Sequence, residues 1–428
     1  VTDATVRPAS NVQEAGPRRT TLDNGLTVLS EHVPGVRSVA FGAFVQAGAI
    51  HETAEVMGVS HLLEHMVFKG TPTRSAKQLS LEVETLGGSL DAYTTREYTS
   101  YQARVLAEHL DVAADVIGDL VFRPLLREED LRLERNVILE EIGMVDDTPD
   151  DLVFELHNAL LWGDHPYGYS ILGTRETVGA LGTDALRALH ARAYHPGRLV
   201  VAASGAVDHE ALVESLRRAG WADAAPGDAT PLATRPPVPA APAYRHHKDR
   251  ELTQTHVVFG SATPPHADER RYVLSLLSMV LGGGMSSRLF QKVREELGLA
   301  YAVHTFQAFH IDVGLQGVYL ASAPKTARRA AEAVRDELKR LVDDGLPADE
   351  LAAAKRQLRG QVVLAEESVT NRMYRAAGEV LYDEPFRPLD AVLAEIDAID
   401  ERVVLDVARE FFAPERQTVL SLGPAPVG

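Results

Sequence analysis

His61, Glu64 and His65 stand together in the run Gly58-Val59-Ser60-His61-Leu62-Leu63-Glu64-His65, inside an apolar stretch of helical period. Two histidines four residues apart on a helix are separated by about 6 Å along its axis and share one face. That is the spacing two imidazoles need to grip one zinc ion, and Glu64 beside them can reach a water held at such a metal. The chemistry this allows is metal-assisted hydrolysis with a carboxylate as general base. On these residues alone, a helix carrying two surface histidines and a glutamate accounts for the pattern equally well.

A catalytic zinc held by two histidines needs a third protein ligand and an open position. The segment Leu131 to Val145 offers one. At about 100° per residue with Glu134 at zero, Leu131, Val137, Ile138, Ile142 and Val145 fall between about −60° and about +80° and define a buried face. Glu141 falls at about −20°, inside that face, and Glu140 near about −120°, outside it. Carboxylates on an apolar face need a partner. For Glu141 and its two-turn neighbour Glu134 the choices are a metal or a buried ion pair with an arginine such as Arg135 or Arg104. The five-residue pattern is also the zinc-protease motif H-E-x-x-H read in the opposite chain direction.

The rest of the chain must position these groups. Its 428 residues allow two to four domains, each able to bury a core. With 43 Lys and Arg against 61 Asp and Glu the net charge is −18, which disfavours a nucleic-acid partner and favours basic or neutral ligands. Cysteine is absent, so disulfides, thiol nucleophiles and Cys-based metal sites are excluded. No apolar run reaches about 18 residues, and the polar start of the chain lacks the apolar core of a secretory signal. A cytoplasmic protein without a membrane partner is the expectation.

Six prolines between Ala222 and Ala243 mark a linker, and the halves on either side repeat. Val39-Ala40-Phe41-Gly42 returns as Val257-Val258-Phe259-Gly260, an offset of 218 (257 − 39), and the strand after Arg198 returns after Arg416 at the same offset. Each half reads as strands and helices without regular βαβ alternation. The expected fold class is therefore α+β, with two homologous domains, each a mostly antiparallel sheet packed by helices. The expected divisions are a flexible tail 1–18, a zinc-binding domain 19–221, a Pro-rich linker 222–244 and a second domain 245–428. Carrying the offset forward, His61, Glu64 and His65 meet Met279, Gly282 and Gly283, so the second half lacks the metal set.

Taken together, these residues resemble the pitrilysin or insulinase-type metallopeptidases, the inverted zincins, and among them the short members such as the catalytic subunit of the mitochondrial processing peptidase. The resemblance runs from Leu22-Asp23-Asn24-Gly25-Leu26 and Gly48-Ala49-Ile50-His51-Glu52 through the histidine motif, Leu86-Gly87-Gly88, Ala92-Tyr93-Thr94, Glu141, His165-Pro166 and Leu172-Gly173 into the second half. It implies half of a clamshell built from two homologous domains. It implies zinc (Zn2+) as cofactor, with His61, His65 and Glu141 as ligands, Glu64 as base and Glu134 as a carboxylate supporting the site. It implies endopeptidase action on short or unfolded polypeptides in a closed chamber. The alternatives are a dedicated processing peptidase with a paralogous partner, or a non-catalytic subunit.

In short members of this family, an Arg and a Tyr seven apart in the second half face the partner's zinc. Here they are Arg294 and Tyr301, which implies a homodimer, or a heterodimer with a paralogue. The strand-forming stretch Ser89 to Val105 matches the edge strand that pairs with substrate, which makes Asp91 and Ala92 substrate-binding candidates. Relatives often carry Asn where this chain has Asp91. An ionised Asp accepts but cannot donate a hydrogen bond, and with the acidic balance of the chain it favours peptides carrying Lys or Arg. Read as a residue alone, Asp91 is a turn position outside the cleft.

Overall fold

The computed structural model describes residues 16–427 except 229, 234, 235 and 242. Most of the expected N-terminal tail and parts of the expected linker thus lie outside the described residues. In the first half the strands are β1 (Arg18–Thr21), β2 (Thr27–His32), β3 (Ser38–Val45), β4 (Ser89–Thr94), β5 (Thr99–Leu106) and β6 (Leu199–Gly205). Its helices are α1 (Val59–Val67), α2 (Ala76–Glu84), α3 (Leu110–Phe122), α4 (Glu128–Asp147), α5 (Pro149–Trp162), α6 (Arg175–Ala180), α7 (Thr183–Ala193) and α8 (His209–Arg218). The second half has β7 (Arg245–Asp249), β8 (Thr255–Thr263), β9 (Ala300–Phe309), β10 (Gly314–Ser322) and β11 (Thr418–Gly423). Its helices are α9 (Arg271–Gly282), α10 (Pro324–Asp344), α11 (Ala348–Ala365), α12 (Val369–Leu381), α13 (Leu389–Ala398) and α14 (Glu401–Phe411).

Two sheets form, ordered β1-β2-β6-β3-β5-β4 and β7-β11-β8-β10-β9. Apart from the extra β1 the two orders are the same. Each has one parallel pair, β2 with β6 and β7 with β11, and is otherwise antiparallel. The repeat in the sequence is therefore a repeat of topology. The stretch Ser89 to Val105, read as one strand-forming segment, folds as a hairpin of β4 and β5 that turns at Thr95 to Tyr98.

One face of each sheet is covered by helices of its own half, and the two largest apolar cores lie there. The other faces are covered by exchange. The α12 helix, from the second half, lays Val369, Met373, Ala376 and Ala377 on Leu29, Ala40, Phe44 and Val200 of the first sheet. Its counterpart α5, from the first half, packs Leu152 and Val153 against Val258 and Leu420 of the second. Both carry an i, i+4 or adjacent apolar stripe typical of a helix lying on a sheet. The repeated Phe-Gly pair sits under these contacts. A Cβ on Gly42 would lie 3.1 Å from Met373 Sδ, and one on Gly260 2.3 Å from His157 Cε1 of α5. Glycine at both positions lets the exchanged helix approach the strand.

Candidate active site

The α1 helix carries His61, Glu64 and His65, and the loop before it sets its direction. Gly58, at its N-terminus, is left-handed with φ of 89°. A Cβ there would sit 2.7 Å from the Leu172 carbonyl oxygen, and Gly173 opposite is left-handed too. The buried Glu52 carboxylate accepts hydrogen bonds from the backbone N–H of Gly58, at 2.7 Å, and of Ser60, at 2.8 Å. It thereby satisfies two of the donors that a helix start leaves unpaired. Burial pushes its carboxyl up to about 7, against the pull of those bonds.

The α4 helix crosses α1 and brings the third group. His61 Nε2 lies 3.8 Å from Glu141 Oε2, and His65 Nε2 lies 3.8 Å from Glu141 Oε1. One donor atom from each of the three residues falls within 4.8 Å of the other two. Tetrahedral zinc with bonds of about 2.0–2.1 Å would need N and O donors about 3.3–3.5 Å apart, so these three, of the right types and already within 4.8 Å of one another, would draw together to hold it. Burial, with the neighbouring His65 adding to it, lowers His61 to about 4 and leaves it neutral, the form that binds metal. Glu140 is exposed. The buried face of α4 is narrower than its sequence pattern suggests: Leu131, Glu134 and Ile138 are buried, whereas Val137 is 43% exposed. Val137 stands at the rim of the apolar arc, where the described residues leave it partly uncovered.

Glu134 is 6% exposed and supports His65 from behind. His65 Nδ1–H donates to its Oε2 at 3.2 Å, which fixes the tautomer and turns the Nε2 lone pair toward Glu141. Its other oxygen pairs with Lys69 Nζ at 2.5 Å. Neither arginine considered from sequence takes that place; Arg135 donates instead to the carbonyls of Val178 and Leu181. Replacing Glu134 by Gln is expected to weaken zinc binding about 10–100-fold, read by titration against a competing chelator. An unchanged affinity would remove Glu134 from the site.

Glu64 is 8% exposed, and Thr94 Oγ1 donates to its Oε2 at 2.7 Å. Burial raises its pKa; Thr94 and His65 act against this, and Glu141 adds to it. Glu64 and His61 face a cleft of about 460 Å³ whose wall includes Ala92, Tyr93 and Thr94 of β4 and Asp151, Phe154 and Glu155 of α5. The exchanged helix thus packs one side on the second sheet and gives the other to the cleft. Among the described residues β4 is an edge strand paired only with β5. Asp91 is exposed and takes no part in the cleft wall.

Arg294 and Tyr301 meet each other in the second half. Arg294 lies in a π-helical segment, Phe290–Glu296, and Tyr301 on β9. The guanidinium donates to the Tyr301 carbonyl at 3.1 Å and stacks between the rings of Phe290 and Tyr301. Tyr301 as a residue is 76% exposed. Within the described residues their contacts stay in this half and do not reach the histidines.

Sequence reasoning missed Glu52, Lys69, Thr94, Asp151 and Glu155. Lys69 carried a usable signal, since it stands four residues after His65. The others come together only through loops, the hairpin and the exchanged helix.

Comparison with known proteins matches residues 27–175 to the model of "Insulinase (Peptidase family M16)" and residues 180–358 to that of the "Peptidase M16 inactive domain". An uncharacterized zinc protease of Streptomyces coelicolor is 40% identical over 95% of this chain and 89% of its own. The chain belongs to the insulinase family of peptidases. An uncharacterized zinc protease of Bacillus subtilis is 36% identical over 93% of this chain and 96% of its own. A protease from Helicobacter pylori of known structure superposes with a TM-score of 0.90 at 20% identity, over 95% of this chain and 99% of that one, and shares the fold. The match covers nearly the whole length of these relatives. Zinc is the family's metal, and the donor set described here is of the type that holds it. Among the described residues no helix is long and apolar enough to cross a membrane.

Proposed function

We propose that this insulinase-family chain is a zinc-dependent endopeptidase that cuts short or unfolded polypeptides, with His61, His65 and Glu141 as ligands and Glu64 as general base. The observation that carries this reading is the convergence of those three donors beside a buried carboxylate on the wall of a cleft. When bound, zinc acidifies a water and polarises the scissile carbonyl. Glu64 takes the proton of the attacking water. Thr94 occupies its Oε2, which leaves Oε1 to receive the proton and later hand it to the leaving amine. Burial makes that carboxylate a stronger base than an exposed one. The free edge of β4 can add an extended peptide as a further strand, and backbone pairing of this kind is indifferent to sequence. Ala92 lies on that edge; Asp91, exposed beside it, is placed to meet substrate outside the cleft.

The reading extends to two chains closing one chamber, with Arg294 and Tyr301 of each facing the partner's zinc. In its support, the pair is preassembled and Tyr301 is exposed. The test is to mix a Glu64→Gln chain with an Arg294→Ala/Tyr301→Phe chain, each inactive alone. Shared sites restore part of the activity on mixing. No recovery, with subunit exchange demonstrated, contradicts the shared chamber. For the substrate class, unstructured peptides should be cut while stably folded proteins are spared; equal attack on both would sink the chamber reading.

A further inference from the structure

The turn that closes the hairpin of β4 and β5, Thr95 to Tyr98, reaches across to the second half. The two sheets share one strand order, so this hairpin and that of β9 and β10 are equivalent, and their tips meet. Glu97, at the first tip, makes the junction. Its Oε1 accepts hydrogen bonds from the backbone N–H of Ile311, in the turn between β9 and β10, at 2.7 Å, and from the Tyr167 hydroxyl at 2.9 Å. His310 Nδ1 lies 3.7 Å from its Oε2. Tyr167 is fully buried, stacks on the rings of His165 and His310, and accepts at its carbonyl from Arg96 Nε at 2.9 Å.

The Glu97 side chain is 11% exposed. Burial raises its carboxyl, but His310, the Ile311 N–H and the Tyr167 hydroxyl outweigh it and hold the group below the usual carboxylate range. Charge-assisted bonds from two elements fix such a carboxylate in one place. The turn transmits that constraint, because Thr95 Oγ1 accepts from the backbone N–H of Glu97 at 3.1 Å and of Tyr98 at 3.0 Å. Thr94, the last residue of β4, comes directly before this turn and holds Glu64 Oε2. The outer edge of β4 has no strand beside it among the described residues. Its end is therefore held by β5, by backbone bonds from Ala49 and Ile50 to the carbonyls of Thr95 and Arg96, and by the contact at Glu97.

We propose that Glu97 is a positioning residue for peptide cleavage: by tying the two hairpin tips together it holds β4 and Thr94 where an extended peptide and the Glu64 carboxylate need them. The inference rests on the peptidase reading and deepens it, since it gives the half without the metal set a part in the reaction. A strand released at its tip samples positions in which it cannot pair with a peptide. Apparent affinity then falls with the fraction of molecules left competent. Thr94 moves with the strand, so Glu64 loses the bond that fixes one of its oxygens in the same event.

The test compares the full-length, zinc-loaded chain with Glu97→Gln, which keeps the size of the side chain and removes its charge, and with His310→Ala from the other side of the contact. With unstructured peptides as substrate, Glu97→Gln should raise KM roughly tenfold, the scale of losing hydrogen bonds to a charged group, while about one zinc per chain is retained. His310→Ala should raise KM by less, and the double variant by no more than Glu97→Gln alone. Hydrogen exchange supplies a reading independent of turnover. In Glu97→Gln the amides of Ser89–Thr94 should exchange about tenfold faster, with those of β3 and β6 in the same sheet unchanged. An unchanged KM overturns the proposal, including where kcat falls, which is the mark of fewer folded molecules. Faster exchange throughout both sheets overturns it too, as does a double variant whose effect is the product of the single ones. If the unmodified chain is folded by its exchange and cuts none of the peptides, the peptidase reading itself fails and the positioning role with it.

Discussion

A Glu64→Gln chain is expected to lose about 10²–10⁴-fold in turnover while keeping its fold and about one zinc per chain. Gln has nearly the shape of Glu and can still accept the hydrogen bond from Thr94 that holds Oε2. What it cannot do is take a proton at the free oxygen. Glu64 is not among the three donors that converge on the metal position, so the metal content should not follow the activity down. The change also removes an ionisable group from a buried site, so melting should occur at the same temperature or slightly higher. Retained activity would deny Glu64 its role, and loss of zinc alongside activity would mean that it holds the metal.

The two neighbouring carboxylates of α4 should part company just as sharply. After dialysis, Glu141→Ala is expected to retain below about 0.1 zinc per chain, and Glu140→Ala about one. Glu141 stands 3.8 Å from both imidazoles, whereas Glu140, about 100° round the helix, is exposed. Truncating the first leaves two histidines for a cation that needs three protein donors. The second changes only a solvated charge, so stability should shift by less than about 0.5 kcal/mol. The reverse pattern of metal loss would mean that α4 is rotated from the orientation described.

These two predictions draw on features that differ in how far they can be read from a sequence. The placement of Glu141 rather than Glu140 follows from helical period, because 3.6 residues per turn fixes which neighbours share a face. The same argument put Val137 inside, where it is 43% exposed, because period gives the centre of a face and not its width. Topology was legible through the repeat: the offset that joins Val39 to Val257 also joins β6 to β11. The exchange of α5 and α12 was not, since an apolar stripe states that a helix is covered without naming what covers it. Only Gly42 and Gly260 hinted at it, each marking a strand that another element approaches closely. Thr94 was out of reach because its partner Glu64 is distant in the chain, and Glu52 because the loop that turns it back onto α1 has no regular period to read. Glu52 caps a helix from six residues upstream of Gly58, and Thr94 meets Glu64 of α1 from the end of β4.

The central claim, that this chain is itself a zinc peptidase, is tested most directly by one measurement on the purified protein alone. Zinc stoichiometry is determined, and a mixed library of unstructured peptides is incubated with the protein untreated, chelated, and chelated then resupplied with zinc. The account predicts about one zinc per chain, cleavage that stops with the chelator, and recovery on return of the metal. A protein that holds neither zinc nor cleaving activity, or one that cuts as fast after the metal is removed, would contradict it.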